Sequence, residues 1–395
     1  MGLSILTLAR TLPVHVRGGM EEVSWKLAKA LARSGVEETI LTTATEGTER
    51  IWEEDGVVVH ELAYVPPRLQ GKPWYRWWPY FAGAVARYSR RLASPPDLIH
   101  SQSFYSEGIS KQPRHPPVVL TVHGTALGDY RGVTKDKLVR EVGPFHPRVL
   151  YQRLAVRRRF TTERKELARA AAIVPVSTIV AGMLSGVRPQ DPRVKVLPNG
   201  IDPADFPAIG RDAARQALDL PSDAKVLLFM GRVDEYKGPR LLLDVLRHIP
   251  DALLVVAGDG PYLDTLRTTL SGHPAEYRVR VLGRIPNSVR PVLYAAADLF
   301  CLPSRSEGQP VSLIESMAMG TPVGTTKPWV PDSLRPFATI DQDVERMVRS
   351  GLALSEQVDR TELRRKVLSE FTWDSIARAY REVFERVISR GASSS

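Results

Sequence analysis

The chain has 395 residues, of which 43% are hydrophobic and 25% charged, and its formal net charge is +10. This length exceeds what one hydrophobic core usually serves, so we expect two domains, and the hydrophobic fraction is ordinary for a globular protein. The single cysteine, Cys301, excludes an intrachain disulfide, which fits a reducing compartment. Because it lies in an apolar run, a buried strand position is favoured over a nucleophile.

The positive charge is concentrated in the first half of the chain. Residues 1–205 hold 29 Lys and Arg against 20 Asp and Glu, whereas residues 206–395 hold 25 against 24. Such an asymmetry indicates either an anionic partner for the N-terminal half or simply a high-arginine proteome.

The chain begins with the apolar run Leu3–Leu8, which is too short to span a membrane and has no cationic start typical of a signal peptide. We interpret it as the first strand and expect a cytoplasmic protein.

Short apolar runs alternate with helical patterns along the first half. Strands are predicted near residues 3–8, 38–43, 57–61, 97–100, 118–122, 172–176 and 194–197. Helices are predicted over residues 19–34 and 148–170.

The second half repeats the pattern. Strands are predicted near residues 225–230, 252–257, 279–282, 298–302 and 321–325. Helices are predicted over residues 237–248, 287–296, 310–319 and 374–390. This alternation predicts an α/β fold with parallel sheets and helices on both faces. Two such runs, divided near residues 202–207, predict two Rossmann-like domains facing across a cleft, where ligands would meet the carboxyl ends of the strands.

The most informative stretch is residues 304–322, which carries Glu307 and Glu315 eight positions apart. Pro310 suits the first turn of a helix and Gly320 the position just past its end. Glu315 would then lie roughly 7.5 Å further along the helix axis than Glu307. Helix N-terminal amides between them favour an anion, so the stretch predicts a site for a sugar nucleotide.

Two cations, Arg232 and Lys237, follow the predicted strand 225–230. At a strand's carboxyl end they would stabilise the negative charge that develops on a departing diphosphate. The sequence contains no His/Cys ligand cluster, and we expect a metal-independent reaction, without cofactor.

Two weaker candidates lie in the first half. Gly18 and Gly19 precede a predicted helix, where backbone can approach a phosphate closely, although a plain glycine turn would have the same sequence. His123 follows the predicted strand 118–122, a position that suits a hydrogen-bond donor to substrate or a structural histidine.

These motifs resemble those of retaining glycosyltransferases of family 4, which have the GT-B fold. The stretch Glu307–Pro322 is similar to the family's Glu-x7-Glu motif, and Gly231–Gly238 to its Gly-Arg…Lys-Gly motif. Further similar motifs occur in family order at residues 18–21, 123–125, 198–202 and 258–261. The resemblance covers most of residues 1–322 and returns at 371–373.

The resemblance implies transfer of a hexose-type sugar from a UDP- or GDP-linked donor to a lipid-linked, glycan or small-molecule acceptor. It also implies an acceptor-side domain over residues 1–205, completed by the C-terminal helix within 374–395. The donor-side domain would span residues 206–373.

By the same resemblance, Glu315 would accept hydrogen bonds from the ribose hydroxyls and Glu307 would bind hydroxyls of the transferred sugar. The residues that follow Glu307 would bind the donor, and the backbone N–H groups among them, which Pro310 lacks, would donate to the sugar or phosphates: Gly308, Gln309, Pro310 and Val311.

Gly18 and Gly19 would lie against the diphosphate and His123 against the donor sugar. With Arg232, Lys237, His123 and Glu307 as catalytic residues, the expected reaction is a front-face exchange in which the diphosphate acts as base.

Aromatic and basic segments in the first half suit either an anionic membrane surface or a glycan acceptor. Residues 72–81 mix aromatic residues with two cations, and residues 148–170 carry eight Arg and Lys against two acids. We hypothesise peripheral membrane association and no nucleic-acid partner; a solvated helix and a packed aromatic loop are the simpler alternative.

Two segments depart from the family pattern, and they bear on donor choice more than on overall activity. Residues 327–340 replace a glycine-rich loop, and residues 34–38 replace a Gly-His-Glu turn. Three alternatives stay open: a sugar-nucleotide epimerase, a phosphorylase-like enzyme of the same fold, and a catalytically dead protein that binds an anionic surface.

Overall fold

The computed structural model describes residues 2–16, 18–65, 80–92, 94–112, 115–125, 143 and 146–392. Its internal contacts divide the chain into two compact units. The N-terminal unit contains Met1–Gly200 and Trp373–Ser395, and the C-terminal unit contains Ile201–Thr372.

The N-terminal unit is built on a seven-stranded sheet with the strand order β3-β4-β2-β1-β5-β6-β7. Its strands are β1 Leu3–Leu8, β2 Val36–Thr43, β3 Arg50–Glu54, β4 Val57–Leu62, β5 Leu98–Gln102, β6 Val118–Val122 and β7 Ala172–Pro175. All neighbours are parallel except β3, which pairs antiparallel with β4. Every residue of β5, β6 and β7 is buried, as in a parallel sheet covered on both faces.

Helices cover both faces of this sheet. They are α1 Gly19–Arg33, α2 Phe81–Ser89, α3 Pro147–Arg169 and α4 Thr178–Gly182. On one face, Phe81 of α2 packs in a cluster with Leu41 of β2; on the other, Ala28 of α1 packs with Ile40 of the same strand. Adjacent residues of one strand therefore serve opposite cores.

The C-terminal unit contains a wholly parallel six-stranded sheet in the order β10-β9-β8-β11-β12-β13. Its strands are β8 Lys225–Met230, β9 Ala252–Ala257, β10 Val279–Gly283, β11 Leu299–Leu302, β12 Val323–Thr325 and β13 Ala338–Ile340. Its helices are α5 Arg211–Ala217, α6 Pro239–Val245, α7 Leu263–Leu270, α8 Arg290–Ala296, α9 Val311–Ala318, α10 Val344–Ser355 and α11 Arg360–Glu370.

The last helix, α12 Trp373–Ala392, belongs to the N-terminal unit and packs against α1. Its Tyr380 and Phe384 rings lie 5.4 and 5.2 Å from the ring of His100 on β5. The Arg381 guanidinium also donates to the Ser34 carbonyl at 2.6 Å. The chain thus returns to its first sheet after completing the second.

The predicted fold class, two parallel-sheet α/β domains, is confirmed. Every predicted strand except 194–197 is present within two residues of its expected bounds. At 194–197 the backbone forms only an isolated bridge from Val194 to Ile173. Cys301 lies buried on β11, as expected, and burial raises the pKa of its thiol.

Three helices differ from their prediction at the start. The predicted helix 287–296 begins at Arg290, after a short 3-10 helix Asn287–Val289. The predicted helix 237–248 begins at Pro239, after a short 3-10 helix Glu235–Lys237, and ends at Val245. The predicted helix 310–319 begins at Val311, so that Pro310 precedes the first turn instead of lying in it.

Candidate active site

A partly buried ion pair joins the loops that follow β8 and β11. Lys237 Nζ donates to Glu307 Oε1 at 2.9 Å, and their side chains are only 15% and 13% exposed. Ser304 Oγ donates to the same oxygen at 2.8 Å. Two motif residues that lie far apart in sequence therefore meet at the carboxyl end of the sheet.

The turn that carries Lys237 admits only glycine at its end. Asp234 caps the 3-10 helix Glu235–Lys237, and Gly238 follows it with a left-handed φ of 73°. A Cβ at Gly238 would lie 2.6 Å from the Pro303 carbonyl oxygen. The Arg305 amide donates to the Tyr236 carbonyl at 2.8 Å, so the two loops are tied backbone to backbone.

Arg232 lies apart from this ion pair. Its side chain is 64% exposed, and its Nε is 3.3 Å from Asp234 Oδ2. Of the two predicted cations, only Lys237 is held at Glu307.

Glu315 is buried on α9, and both of its carboxylate oxygens have donors from α8. The Arg290 guanidinium donates to Oε1, and the Tyr294 hydroxyl donates to Oε2 at 2.9 Å. Burial alone would lower the pKa of Arg290, but the negative charge of Glu315 outweighs it and the pKa lies above its ordinary value. Burial and the same negative charge raise the pKa of Tyr294.

Sequence reasoning missed Arg290 and Tyr294. The available signal was their four-residue spacing, which puts both side chains on one face of a helix. Nothing in the sequence says that this face meets α9.

The residues between the two carboxylates form the entry to α9. Gly308 and Gln309 precede the helix, Pro310 is its N-cap with φ −71° and ψ 116°, and Val311 is its first residue. The structure therefore puts all four predicted donor-binding residues at this helix N-terminus. Gly320 follows the helix with φ 76°, as expected for a residue just past its end.

In the N-terminal unit, Gly18 is the extended N-cap residue of α1, and Gly19 begins the helix. A Cβ at Gly18 would lie 2.3 Å from Glu21 Oε2, whereas a Cβ at Gly19 would meet nothing within 4 Å. Glu21 is in turn held by Thr11, whose hydroxyl donates to Oε1 at 2.8 Å. A side chain at Gly18 would therefore displace the Glu21 carboxylate in the first turn of α1, whereas the space beside Gly19 is open.

His123 follows β6, and its Nε2 lies 3.0 Å from the Gln102 Oε1. Burial lowers the pKa of His123 to about 4, so the imidazole is neutral near pH 7. Behind it, His100 Nε2 bonds the Thr121 hydroxyl at 2.8 Å, and Thr121 bonds the Tyr380 hydroxyl at 3.1 Å. A buried polar chain therefore runs from the predicted site residue to α12.

Among the residues that the structure describes, no three His, Cys, Asp or Glu side chains are grouped so as to hold a metal ion. The same residues include no helix that is long and apolar enough to cross a membrane. Residues 72–79 of the aromatic segment lie outside the described residues, while Phe81 is buried at the start of α2.

Two family models match the chain. The one described as Glycosyltransferase Family 4 matches residues 17–205, and the one described as Glycosyl transferases group 1 matches residues 210–333. A D-inositol 3-phosphate glycosyltransferase of Jonesia denitrificans is 28% identical, over 93% of this chain and 91% of its own.

Two solved structures share the fold. Sucrose-phosphate synthase from Thermosynechococcus elongatus superposes with a TM-score of 0.76 at 20% identity, covering 98% of this chain and 100% of its own. Anabaena Alr3699/HepE, solved in complex with UDP-glucose, gives a TM-score of 0.67 at 18% identity and covers 100% of both chains.

Taken with the paired loops of the C-terminal unit, these matches define an enzyme class, the glycosyltransferases of GT-B fold. Within that class the chain belongs to glycosyltransferase family 4, the glycosyl transferases group 1. The predicted family and the predicted GT-B fold are both confirmed.

Proposed function

We propose that this glycosyltransferase is retaining and metal-independent, and that it moves a hexose from a UDP- or GDP-linked donor to a lipid-linked, glycan or small-molecule acceptor. The observation that carries the proposal is the Lys237–Glu307 ion pair. It holds a cation suited to a diphosphate beside a carboxylate suited to sugar hydroxyls.

Breaking the bond between the sugar and the diphosphate puts negative charge on the departing oxygen. A cation fixed in a largely buried site stabilises that charge more than it stabilises the bound donor. Lys237 meets this condition, and Arg232, with its exposed head, supplies a second positive charge from the same loop. In this proposal the two cations stabilise the departing diphosphate and so replace a divalent metal ion.

Glu307 serves to orient the sugar and does not attack it. Its Oε1 already accepts from Lys237 and Ser304, an arrangement that fixes the carboxylate and reduces its nucleophilicity. The departing phosphate would take the acceptor's proton and leave room for attack on the same face, so the anomeric configuration is retained.

The donor proposal draws on the neighbours as well as on the site. Anabaena Alr3699/HepE binds UDP-glucose, and the helix N-terminus at Val311 presents amides that favour phosphate. UDP-glucose is therefore the first donor to test, and GDP-linked sugars are the second.

The acceptor proposal rests on α3. This helix exposes Leu150 and Leu154, at 51% and 67%, among arginines. Its two acids are buried: Glu163 lies 3.4 Å from Arg159, and Glu166 accepts from Ser106. A helix that combines exposed leucines with eight Arg and Lys against two buried acids suits an anionic membrane surface that holds a lipid-linked acceptor.

The first experiment incubates the protein with UDP-, GDP- and ADP-sugars and follows nucleotide release by mass spectrometry, with and without EDTA. We expect release from one donor, unaffected by EDTA and strongly reduced in Lys237→Ala and Glu307→Ala. Lys225→Ala, which removes an exposed lysine paired with Asp251, is the matched control and should keep full activity.

The products distinguish the remaining alternatives. NMR of the glycoside should show the same anomer as the donor, and the inverted anomer would contradict retention. An altered sugar nucleotide formed without acceptor would identify an epimerase, and no release with any donor would remove the transferase proposal.

Membrane association is tested by co-sedimentation with anionic and neutral vesicles. We expect salt-sensitive binding to anionic vesicles only, reduced when Leu150 and Leu154 are both changed to Ser. Equal binding to neutral vesicles, or none at low salt, would remove this part of the proposal.

A further inference from the structure

The carboxylate of Glu315 is held at both oxygens by one helix. The Arg290 guanidinium reaches Oε1 and the Tyr294 hydroxyl reaches Oε2 from positions four residues apart on α8. Each carboxylate oxygen has two acceptor sites, so one donor on each leaves one acceptor site on each.

Tyr294 is itself fixed from several sides. Its side chain is fully buried, and its ring packs edge-on against Phe300 at 5.5 Å. Its backbone carbonyl accepts from the Thr321 hydroxyl at 2.6 Å, and the Arg360 guanidinium donates to that hydroxyl. The hydroxyl that meets Glu315 therefore has little freedom to move.

Arg290 also holds the Glu315 carboxylate, and it does so from a partly exposed position. Its side chain is 30% exposed, against 10% for Glu315, so the pair lies at the edge of the buried region. The guanidinium places a positive charge opposite the carboxylate, which offsets the cost of burying it. A carboxylate fixed in this way accepts hydrogen bonds only, so its ligand must present donors.

We propose that Arg290 and Tyr294 are positioning residues that turn the two remaining acceptor sites of Glu315 toward a vicinal diol, the 2′- and 3′-hydroxyls of the donor's ribose. This rests on the proposed function and on the role that the family resemblance implies for Glu315, which is to bind that ribose. The site then distinguishes ribonucleotide from 2′-deoxyribonucleotide donors, because a missing hydroxyl leaves one charged acceptor without its partner.

The size of the discrimination follows from the value of a hydrogen bond to a charged group. Its loss corresponds to about a 10- to 100-fold change in an equilibrium or rate constant. We therefore expect the wild-type enzyme to prefer the ribonucleotide sugar over its 2′-deoxy analogue by about that factor in kcat/KM.

The test measures kcat and KM for both donors in the full-length wild type and in Tyr294→Phe, which keeps the buried ring and removes only the hydroxyl. The variant should raise KM for the ribonucleotide donor about tenfold, with kcat little changed and the 2′-deoxy donor hardly affected. Arg290→Gln should also reduce the preference. Tyr277→Phe, at an 82% exposed position of the same unit, should leave it unchanged.

Calorimetry with UDP or GDP and the corresponding 2′-deoxynucleotide gives the same ratio without turnover. If the wild type turns over no donor but binds the ribonucleotide preferentially, and Tyr294→Phe removes the preference, the transferase proposal fails and this one stands. If turnover is normal and Tyr294→Phe leaves the ratio unchanged, the positioning role is overturned and the transferase proposal stands. Absence of nucleotide binding, or an equal loss with both nucleotides that follows a fall in Tm, would also overturn it.

Discussion

The predicted catalytic side chains differ most in how far they are removed from water. Lys237 is 15% exposed and bonded to a carboxylate, whereas Arg232, from the same loop, is 64% exposed. The same unit of charge therefore acts in two different dielectric environments. Electrostatic stabilisation grows as water is excluded, so the two residues should not contribute equally.

Lys237→Ala should consequently cost far more than Arg232→Ala. We expect kcat to fall about 100- to 1,000-fold for Lys237→Ala, the usual range for a preorganised charge, and about tenfold for Arg232→Ala. Steady-state kinetics at saturating donor measures both. Equal losses would show that the exposed head of Arg232 becomes buried in the reacting complex.

A buried acid of the N-terminal unit should control how stability varies with pH. Burial raises the pKa of Glu38 on β2 to about 8, so it is protonated in the folded state at pH values where the unfolded chain is ionised. Stability should therefore fall as pH rises from about 4.5, the ordinary value, toward 8.

Glu38→Gln removes this titration. The variant should match the wild type near pH 5 and be more stable near pH 8.5, by a few kcal/mol at most, at about 1.4 kcal/mol per unit of pKa shift. Urea unfolding at the two pH values measures the difference. The exposed neighbour substitution Glu37→Gln is the control and should show no such divergence.

At the scale of elements, the sequence predicted those strands that show a clear hydrophobic pattern. The buried strands β6, β8 and β9 were predicted because a strand covered on both faces has a nearly continuous run of apolar residues. β3 was missed because it is an edge strand with four of its five residues exposed. At 194–197 an apolar pattern was present, and the backbone follows β7 through the Val194–Ile173 bridge and the Lys195 and Leu197 amides, but it does not form a regular strand.

The residues of the candidate site also fall into two groups, those that a sequence motif indicates and those that only tertiary packing brings together. Motif spacing was enough to select Lys237, Glu307 and Glu315, since each lies in a strand-end loop or on the helix that follows. The partners Arg290 and Tyr294 depend on how α8 lies against α9, and tertiary contacts of that kind leave no local pattern in a sequence.

The turn at Gly238 allows a test with an internal control. Gly238 and Gly272 have almost the same backbone, with φ of 73° and 75°, but only Gly238 has a neighbour in the way, the Pro303 carbonyl. Alanine at either position costs about 1 kcal/mol for the left-handed backbone. Gly238→Ala should cost at least 1–2 kcal/mol more, because the Lys237 loop must move away from β11.

Urea denaturation of the two variants measures this difference, and donor turnover reports on the displaced ion pair. We expect Gly272→Ala to keep activity and Gly238→Ala to lose most of it. If the two variants have the same stability and activity, the loop after β11 moves to accommodate the added Cβ at no cost in free energy.

At the scale of the whole molecule, the path of the chain links its last helix to its first sheet. Tyr380 and Phe384 of α12 pack on His100, at the centre of the N-terminal sheet. The stability of this unit therefore depends on residues that follow the entire C-terminal unit in sequence.

Phe384→Ala should destabilise the N-terminal unit by about 3–5 kcal/mol, since the ring is fully buried. Hydrogen exchange should show faster amide exchange in β1, β5 and β6, with the C-terminal sheet unchanged. Val367→Ala, at a buried position of α11, should produce the opposite pattern. Uniform acceleration in both sheets would show that the two units unfold as one.

This chain path also has a consequence for biosynthesis. A ribosome releases the seven strands of the first sheet early, but the helix that covers His100 emerges only after Ile201–Thr372 has been made. Domains commonly fold in the order of synthesis. Here the first unit to be translated is completed after the second, so nascent chains lack the helix that covers His100 throughout the synthesis of Ile201–Thr372 and call for chaperone protection there until α12 emerges.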